Sequence, residues 1–414
     1  MASLDEFASV KAGERVSVEL AGNVGAGTSR IYLDHEVDTL DNDALLRGWK
    51  LDPAEWEIVG PLRVNRWIQN ADAGTWCYQY RANVERRAPD IEDVPPLVKV
   101  EVRVKRDTLR RRKTDLACAV IFPDAQISYW RDTDDEWRTS HDEAALDVSR
   151  QVLADVQAQH GVDVVVDLGD FLDATHFSRH RSQAAFLDRV AFRKAVARAQ
   201  QELAVRTSLA PDADRWLVPG NHENRITNWL TDNAPFLMGL ALPDQPPMLS
   251  LEWLLQTDEH GWQVADAYPE GAVYLSPNLR CIHGHIAKGR PGQTAGEYLA
   301  EEVNTIAGHH PRTQTAYRTV NRHGYTRTYV AHLPSGLMRI DGAVPSASTG
   351  STVSGDPVLA KGEKWEQGVS VVFYDPEGHL VPYIEHVPIF AGQAVWRGRV
   401  YEAGVDVDGH EIAA

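Results

Sequence analysis

From residue 116 onward, short apolar runs alternate with longer segments in which apolar residues recur at helical spacing. The short runs predict buried strands, and the longer segments predict helices with one apolar stripe. Strands and helices in alternation are typical of a layered α/β domain. The predicted strands are residues 117–122 (ACAVIF), 162–170 (VDVVVDLGD) and 215–221 (RWLVPGN), and the predicted helices are residues 142–159 and 183–206.

The pattern continues in the last third of the chain. Residues 278–284 and 304–310 are apolar runs that end in Gly and His, and residues 368–375 and 380–390 predict further strands that would complete a second sheet. Residues 226–279 are less regular and rich in Trp, Pro and Leu, and we interpret them as a cap or insertion.

The first hundred residues have a different character. Residues 43–49 and 52–56 predict two short helices, and residues 62–70, 75–84 and 97–104 alternate in the manner of strands. A small α+β module is the simplest interpretation of this segment. A winged-helix reader of DNA is the alternative.

These patterns predict three parts of the chain. Residues 1–113 form an N-terminal α+β accessory module, residues 114–395 the layered α/β domain and residues 396–414 a C-terminal tail. The accessory module ends in a basic linker, residues 105–113, which contains a cluster of Lys and Arg. This linker is either a solvated surface or a contact with nucleic-acid phosphates.

Composition limits the partners. The formal net charge is −17, which argues against coating DNA or a membrane by bulk positive charge, so an anionic substrate must be met locally. No apolar stretch reaches about 18 residues, and the N-terminus lacks a signal-peptide core. Three cysteines far apart in the chain predict neither a disulfide framework nor a metal site. We therefore expect a cytoplasmic protein without a membrane span.

Polar residues and glycines follow the predicted strands at corresponding positions. Because the carboxyl ends of strands converge at one edge of a layered sheet, we expect these side chains to meet. Asp, Asn and His suit a divalent metal ion, and Gly allows the sharp turns that point ligands inward. The clusters are Asp124-Ala125-Gln126, Gly169-Asp170 with Asp173, Gly220-Asn221-His222-Glu223, His283-Gly284 and Gly308-His309.

In this order the clusters resemble the blocks D-x-H, GDxxD, GNH[DE], H and GHxH of the calcineurin-like metallophosphoesterase superfamily. The resemblance covers roughly residues 117–390 and implies a four-layer α/β/β/α sandwich. In detail the motifs are similar to those of bacteriophage-encoded phosphoesterases. More distantly, they are similar to the nuclease subunit of double-strand-break repair complexes.

The resemblance implies a site for two divalent metal ions and hydrolysis by metal-activated hydroxide. Asp170 would bridge the ions, and one of them would also take Asp124 and the side chain at Gln126. The ligands of the other ion would be Asp170, Asn221, His283 and His309.

The catalytic residues follow from the same resemblance. His222 would protonate the leaving oxygen, with Glu223 orienting it and Asp170 between the metal ions. Arg179, Arg225 and His310 are candidates for contact with the substrate phosphate, with surface ion pairing as the alternative for the arginines.

This sequence departs from the superfamily pattern at two positions. Gln126 replaces the usual His, and Pro311 stands where the second His of GHxH is expected. Both departures fall on the same metal ion. We therefore expect that ion to bind more weakly and to be Mn²⁺ or Mg²⁺. For the site as a whole we expect Mn²⁺, with Mg²⁺, Fe²⁺ or Zn²⁺ as further candidates. His310 or His285 is a candidate substitute for the missing ligand.

The expected function is metal-dependent hydrolysis of a phosphodiester, with DNA as the favoured substrate and a nuclease-like activity. A nucleotide or small-molecule phosphatase is the first alternative. A catalytically weakened metal-binding scaffold or nucleic-acid-binding protein is the second. The sequence predicts no particular protein partner.

Overall fold

The computed structural model describes residues 15–20, 42–48, 51–70, 75–86, 116–132, 134–178, 187, 190–322, 324–341, 348–351, 357–359 and 365–412. The chain divides into two compact units, Met1–Asp93 and Val94–Ala414, and each is described by itself. The basic linker and Arg179 lie outside the described residues. The assignment of functions to the three predicted parts stays a prediction.

The described part of the N-terminal unit contains helix α1 (Asn42–Gly48) and a sheet of three antiparallel strands. The strands are β1 (Arg15–Leu20), β2 (Trp56–Asn70) and β3 (Thr75–Arg86), in the order β1-β3-β2. The predicted helix at residues 52–56 is wrong. The Asp52 carboxylate accepts the N–H of Ala54, which favours a turn, and Trp56 already begins β2.

The larger unit alternates strands and helices as the sequence predicts. Its strands in chain order are β4 (Ala117–Phe122), β5 (Tyr129–Arg131), β6 (Trp137–Thr139), β7 (Val164–Asp167), β8 (Asp214–Leu217), β9 (Gln263–Val264), β10 (Ala272–Ser276), β11 (Leu279–Ile282), β12 (Asn304–Ala307), β13 (Thr313–Arg322), β14 (Tyr325–Pro334), β15 (Ser348–Ser351), β16 (Pro357–Leu359), β17 (Gln367–Tyr374), β18 (Tyr383–Phe390), β19 (Gln393–Trp396) and β20 (Arg399–Glu402). Its α-helices are α2 (Glu143–His160), α3 (Phe192–Leu209), α4 (Asn221–Asn233), α5 (Leu251–Leu255), α6 (Thr257–His260) and α7 (Gln293–Tyr298).

Within the described part of this unit, eight strands form one sheet in the order β20-β19-β18-β17-β4-β7-β8-β9. Strands β4, β7, β8 and β9 are parallel, and β17 lies antiparallel to β4. Strand β20 extends this sheet beyond residue 395, where the sequence places the end of the catalytic domain. The segment predicted as a cap or insertion supplies β9 to this sheet and β10 to the next.

A second sheet has the order β10-β11-β12-β14-β13 among the residues that the structure covers. The prediction that residues 368–375 and 380–390 belong to this second sheet is wrong, because β17 and β18 join the first sheet beside β4. Strand β17 is apolar and buried at nearly every position, so its sequence fits the interior of either sheet equally well. The molecule is thus a mixed α/β protein with two large mixed sheets.

Hydrophobic clusters join these elements. Residues of α2 and α3 pack on one face of the first sheet around Val120, Val165 and Leu217. The opposite face packs on the second sheet, where Ile121 and Val166 share a cluster with Ile306 and others. Helix α7 contributes to a third cluster on the second sheet. Among the described helices, none is long and apolar enough to cross a membrane.

Candidate metal centre

The polar clusters directly follow β4, β7, β8, β11 and β12, and they lie in loops except for Asn221, His222 and Glu223, which begin helix α4. Three residues of these loops, Gln126, Asp170 and His309, have φ values of 50°, 48° and 65°. This left-handed backbone is uncommon for residues other than glycine and turns the chain sharply after each strand. The sharp turns bring ligand side chains from both sheets toward one another.

One group of ligand atoms converges closely. The ligand atoms of Asp170, His283 and His309 all lie within 4.8 Å of one another. Oδ1 of Asn221 lies 3.0 Å from Nε2 of His283 and 2.6 Å from Nδ1 of His309. Oδ1 of Asp170 lies 3.4 Å from Nε2 of His283. The set combines one carboxylate, one amide oxygen and two imidazoles, which is a suitable donor set for a transition metal such as Zn²⁺, Fe²⁺ or Mn²⁺.

The two histidines are held in the form that a metal ligand requires. Nδ1 of His283 donates to the carbonyl oxygen of Leu168 at 2.8 Å, which leaves the lone pair of Nε2 facing Asn221. Burial lowers the pKa of His283. Burial, together with the neighbouring His283, lowers the pKa of His309 to about 4. Both rings are therefore neutral at pH 7 and available to bind a cation.

Glycines allow the loops to approach this closely. A Cβ atom at Gly220 would lie 2.3 Å from both the backbone nitrogen and Oδ1 of Asp170, and 2.9 Å from Cε1 of His283. A Cβ atom at Gly308 would lie 2.8 Å from Oδ1 of Asp124. The glycines at these positions are thus required by the packing of the ligands.

Asp124 and Gln126 form a second group of donors beside the first. Oδ1 of Asp124 accepts the backbone N–H of His309 at 3.1 Å, and the N–H of Gln126 donates to the carbonyl of Asp170 at 2.7 Å. Oδ2 of Asp124 and Oε1 of Gln126 are buried and accept no hydrogen bond from any residue that the structure describes. Leaving such oxygens unpaired is costly, and a bound cation would satisfy both.

The charges of these carboxylates are coupled. Burial, reinforced by the charge of Asp170, raises the pKa of Asp124 well above its usual value. Burial acts on Asp170 in the same direction, but His222 and His283 outweigh it and hold the pKa of Asp170 below its usual value. Two carboxylates that disfavour each other's ionisation are the arrangement that a divalent cation stabilises.

The candidate substitutes for the missing ligand have other surroundings. Nδ1 of His310 accepts from Nε2 of Gln314 at 3.3 Å, and its ring also bonds to the carbonyl of Lys288. The side chain of His285 is exposed. The described contacts of the His310 ring are thus made with Gln314 and Lys288. Replacement of the missing ligand by either histidine stays without structural support.

His222 lies on the first turn of α4 between two carboxylates. Its Nδ1 is 3.1 Å from Oδ1 of Asp173, and its Nε2 is 3.5 Å from Oδ2 of Asp170. Its backbone N–H donates to Oδ1 of Asp170 at 2.8 Å. A carboxylate beside Nδ1 orients an imidazole ring and directs Nε2 toward the ligand group.

Glu223 holds the loops rather than the ring. Its carboxylate accepts the backbone N–H groups of Gly220 at 2.8 Å, Asp170 at 3.0 Å and Leu172 at 2.8 Å. Burial and the charge of Asp170 raise the pKa of Glu223 to about 7. The carboxylate beside the His222 ring is that of Asp173, and the predicted catalytic role of Glu223 stays a prediction.

A buried ion network supports the loop of Asp170 from behind. Nη1 of Arg206 lies 2.8 Å from Oδ2 of Asp167, and Oδ1 of Asp167 accepts the N–H of Gly169 at 3.0 Å. Arg206 also pairs with Glu202 at 3.0 Å. All three charged side chains are fully buried. Helix α3 is thereby tied to the turn that carries Asp170.

The structure adds site residues that the sequence did not single out. The ring of Tyr268 meets the ring of His283 edge-on with centroids 5.7 Å apart, and its side chain is half-buried. Nη1 of Arg312 donates to the carbonyl of Gly289 at 3.3 Å, which joins the loops after β11 and β12. The candidate Arg225 donates instead to the carbonyl of Asp173 at 2.8 Å. No motif marks Tyr268, because its segment is irregular.

Comparison with known families agrees with this geometry. Residues 140–334 match the family model of the calcineurin-like phosphoesterases. A search of curated proteins finds no match. The match includes Asp170, Asn221, His283 and His309 and begins after Asp124 and Gln126. It supports a calcineurin-like phosphoesterase domain at residues 140–334, a family that hydrolyses phosphoesters with divalent metal ions, whereas the predicted bounds 114–395 stay a prediction. Similarity to bacteriophage enzymes or repair nucleases stays a prediction.

Proposed function

We propose that the chain is a metal-dependent phosphodiesterase with DNA as its favoured substrate. The observation that carries the proposal is the convergence of Asp170, Asn221, His283 and His309, with neutral imidazoles and a glycine-lined approach. Bound divalent ions would neutralise the phosphoryl oxygens and make water a sufficient nucleophile at neutral pH. Asp170 would serve both ions, and Asp124 and Gln126 would hold the second.

His222 is the residue that we propose to protonate the leaving oxygen. Hydrolysis breaks the bond between phosphorus and that oxygen, water supplies the new oxygen on phosphorus, and the proton on Nε2 passes to the departing group. Asp173 lies 3.1 Å from Nδ1 and keeps the ring in place during this transfer. Glu223 maintains the loop geometry through its three backbone contacts.

Cations beside the ligands support an anionic, extended substrate. Lys288, Arg290 and Arg312 lie on the same two loops that carry His283 and His309. These side chains supply the local positive charge that a protein of net charge −17 needs in order to bind a phosphate chain. The basic linker at residues 105–113 would add to this contact.

We further propose that residues 114–395 and β20 form a four-layer α/β/β/α catalytic domain. The hydrophobic clusters support this proposal, since α2 and α3 pack on the first sheet, the two sheets pack on each other and α7 packs on the second sheet. The N-terminal α+β module would then be an accessory to this domain.

A panel of substrates tests the function. With Mn²⁺ present, we expect hydrolysis of bis(p-nitrophenyl) phosphate and of linear duplex DNA. Release from p-nitrophenyl phosphate and nucleoside monophosphates should be slower. Hydrolysis of monoesters alone would favour a small-molecule phosphatase, and no hydrolysis of any substrate would favour a scaffold.

Variants of the proton donor sharpen the test. His222→Gln and Asp173→Asn should each lower kcat for the diester, by roughly 10²–10⁴-fold in the case of His222. Metal content should stay at the wild-type level in both. His379→Gln is the matched control, because His379 is exposed in the turn after β17. Wild-type kcat in the His222 variant would contradict the proposed role.

A further inference from the structure

We infer that the half of the centre formed by Asp124 and Gln126 offers a cation oxygen ligands alone, so that it takes a hard divalent cation, Mn²⁺ or Mg²⁺, and binds Zn²⁺ far more weakly than the other half does. The other half, with His283 and His309, would take the softer ion, so that the working centre holds two different metals. This inference rests on the proposed function for its location, but it concerns metal selection and not the reaction.

The first observation is the pair of buried, unpartnered oxygens. Asp124 is 1 % exposed and Gln126 is 6 % exposed. Oδ2 of Asp124 and Oε1 of Gln126 find no hydrogen-bond donor in the described parts of the chain. Asp170 lies close by, since its carbonyl accepts the N–H of Gln126 at 2.7 Å, and its carboxylate is a third oxygen donor. Carboxylate and amide oxygens are the ligands that Mg²⁺ and Mn²⁺ prefer.

The second observation is that hydrogen bonds hold the backbone at both residues and one carboxylate oxygen of Asp124. The N–H of Gln126 donates to the carbonyl of Asp170, and the carbonyl of Asp124 accepts the N–H of Leu337 at 2.8 Å. Oδ1 of Asp124 is further held by the N–H of His309. A pre-formed arrangement of this kind binds a cation without first ordering its ligands.

The third observation concerns nitrogen donors. The imidazoles of His283 and His309 share a ligand group with Asp170, and Asp124 lies outside that group of described residues. The ring of His310 bonds to Gln314 and to the Lys288 carbonyl. Pro311 has no side-chain donor, and its carbonyl accepts the N–H of Glu366 at 3.0 Å. Imidazole is the ligand that would raise affinity for Zn²⁺, and the described contacts supply it to one half alone.

The test titrates the metal-free full-length protein separately with Zn²⁺ and Mn²⁺ by calorimetry and follows bound Mn²⁺ by electron paramagnetic resonance. We expect one tight equivalent of Zn²⁺ and a second equivalent that binds Zn²⁺ at least about tenfold more weakly than the first, and Mn²⁺ should enter the second site when one equivalent of Zn²⁺ is already bound. His309→Ala should remove the tight Zn²⁺ equivalent and leave the Mn²⁺ signal.

Substitutions at Gln126 test whether the absence of an imidazole ligand determines which metal this half of the centre binds. Gln126→His should raise the number of tight Zn²⁺ equivalents from one to two, because it adds an imidazole to the oxygen site. Gln126→Glu should raise the affinity for Mn²⁺ and leave the number of tight Zn²⁺ equivalents at one. This second variant tests the inference if Gln126→His does not fold. Gln263→His adds a histidine at an exposed position of β9 and should change neither titration.

Two equally tight Zn²⁺ equivalents in the wild-type protein would overturn the inference, as would one Zn²⁺ equivalent in a folded Gln126→His variant. These results leave the proposed function intact if diester hydrolysis is present. The expected metal pattern without hydrolysis of any substrate would overturn the proposed function and leave the inference intact.

Discussion

Gly220 is the position where the smallest substitution should do the greatest damage to the metal centre. Its backbone has φ −97° and ψ −176°, a conformation that alanine adopts without strain. The effect of Gly220→Ala is therefore purely steric. The new Cβ would lie 2.3 Å from both the backbone nitrogen and Oδ1 of Asp170 and 2.9 Å from Cε1 of His283.

The size of the effect follows from these distances. Real Cβ contacts essentially never fall under 3.0 Å, so Asp170 must move by at least about 0.7 Å. Overpacking of this kind costs about 1–3 kcal/mol of folding free energy. A misplacement approaching 1 Å in a reacting geometry costs roughly 100-fold in rate. We expect Gly220→Ala to lower both the free energy of unfolding and the affinity for metal.

Urea unfolding of the metal-free protein and calorimetric metal titration measure the two effects separately. The matched control is Gly296→Ala, because Gly296 is an exposed residue of α7 and a Cβ there meets nothing within 4 Å. This control should raise the free energy of unfolding by about 0.4–1 kcal/mol and leave metal binding unchanged. Wild-type stability and metal affinity in Gly220→Ala would refute the steric argument.

Three further predictions concern other parts of the unit. Arg206→Met leaves Asp167 buried without its ion partner and should lower the free energy of unfolding in urea by about 3–5 kcal/mol. Burial lowers the pKa of His332 to about 3, so only the unfolded chain takes up this proton as the pH falls below about 6.5. The free energy of unfolding should therefore fall by about 1.4 kcal/mol per pH unit through His332 between pH 6.5 and 4, and His332→Gln should lack this contribution. Tyr268→Phe removes the hydroxyl from a ring that packs edge-on against His283 and should lower kcat/KM for the diester by roughly tenfold or more, because we expect this hydroxyl to donate to the substrate phosphate.

A different result would contradict each of these three predictions. Arg322→Met is the control for Arg206, since Arg322 pairs with Glu302 at the surface and should cost less than about 1 kcal/mol. Equal losses in the two arginine variants would contradict the burial argument. Wild-type pH dependence in His332→Gln would remove His332 as the cause of the acid response, and unchanged kcat/KM in Tyr268→Phe would exclude a substrate contact by its hydroxyl.

The candidate metal ligands could be predicted from the sequence because each of them directly follows an apolar run and stands next to a glycine. Asp170, Asn221, His283 and His309 all have this local signal. The sequence did not predict that Asp173 is the carboxylate beside Nδ1 of His222. Glu223 is the nearest carboxylate in sequence, but successive residues of a helix do not face each other, and its side chain turns to backbone amides.

The sequence also did not show which strands pair with each other when they are far apart in the chain. Strand β17 is rich in apolar residues and is buried at nearly every position, and such a strand contains no information about which of two buried sheets it enters. The helix expected at residues 52–56 failed for a local reason, since Asp52 bonds to its own chain and favours a turn. Tyr268 has no local signal at all, because only the assembled fold brings it beside His283.

The ligands of the metal centre come from both sheets. Asp170 and Asn221 follow strands of the first sheet, whereas His283 and His309 follow strands of the second. A bound ion therefore fastens the two sheets together at one edge, and an unfolded chain offers no comparable site. By mass action, metal at 1,000 times its dissociation constant would stabilise the fold by about 4.1 kcal/mol. A chelator would then act as a mild denaturant of this unit, and resistance to proteolysis would follow metal occupancy.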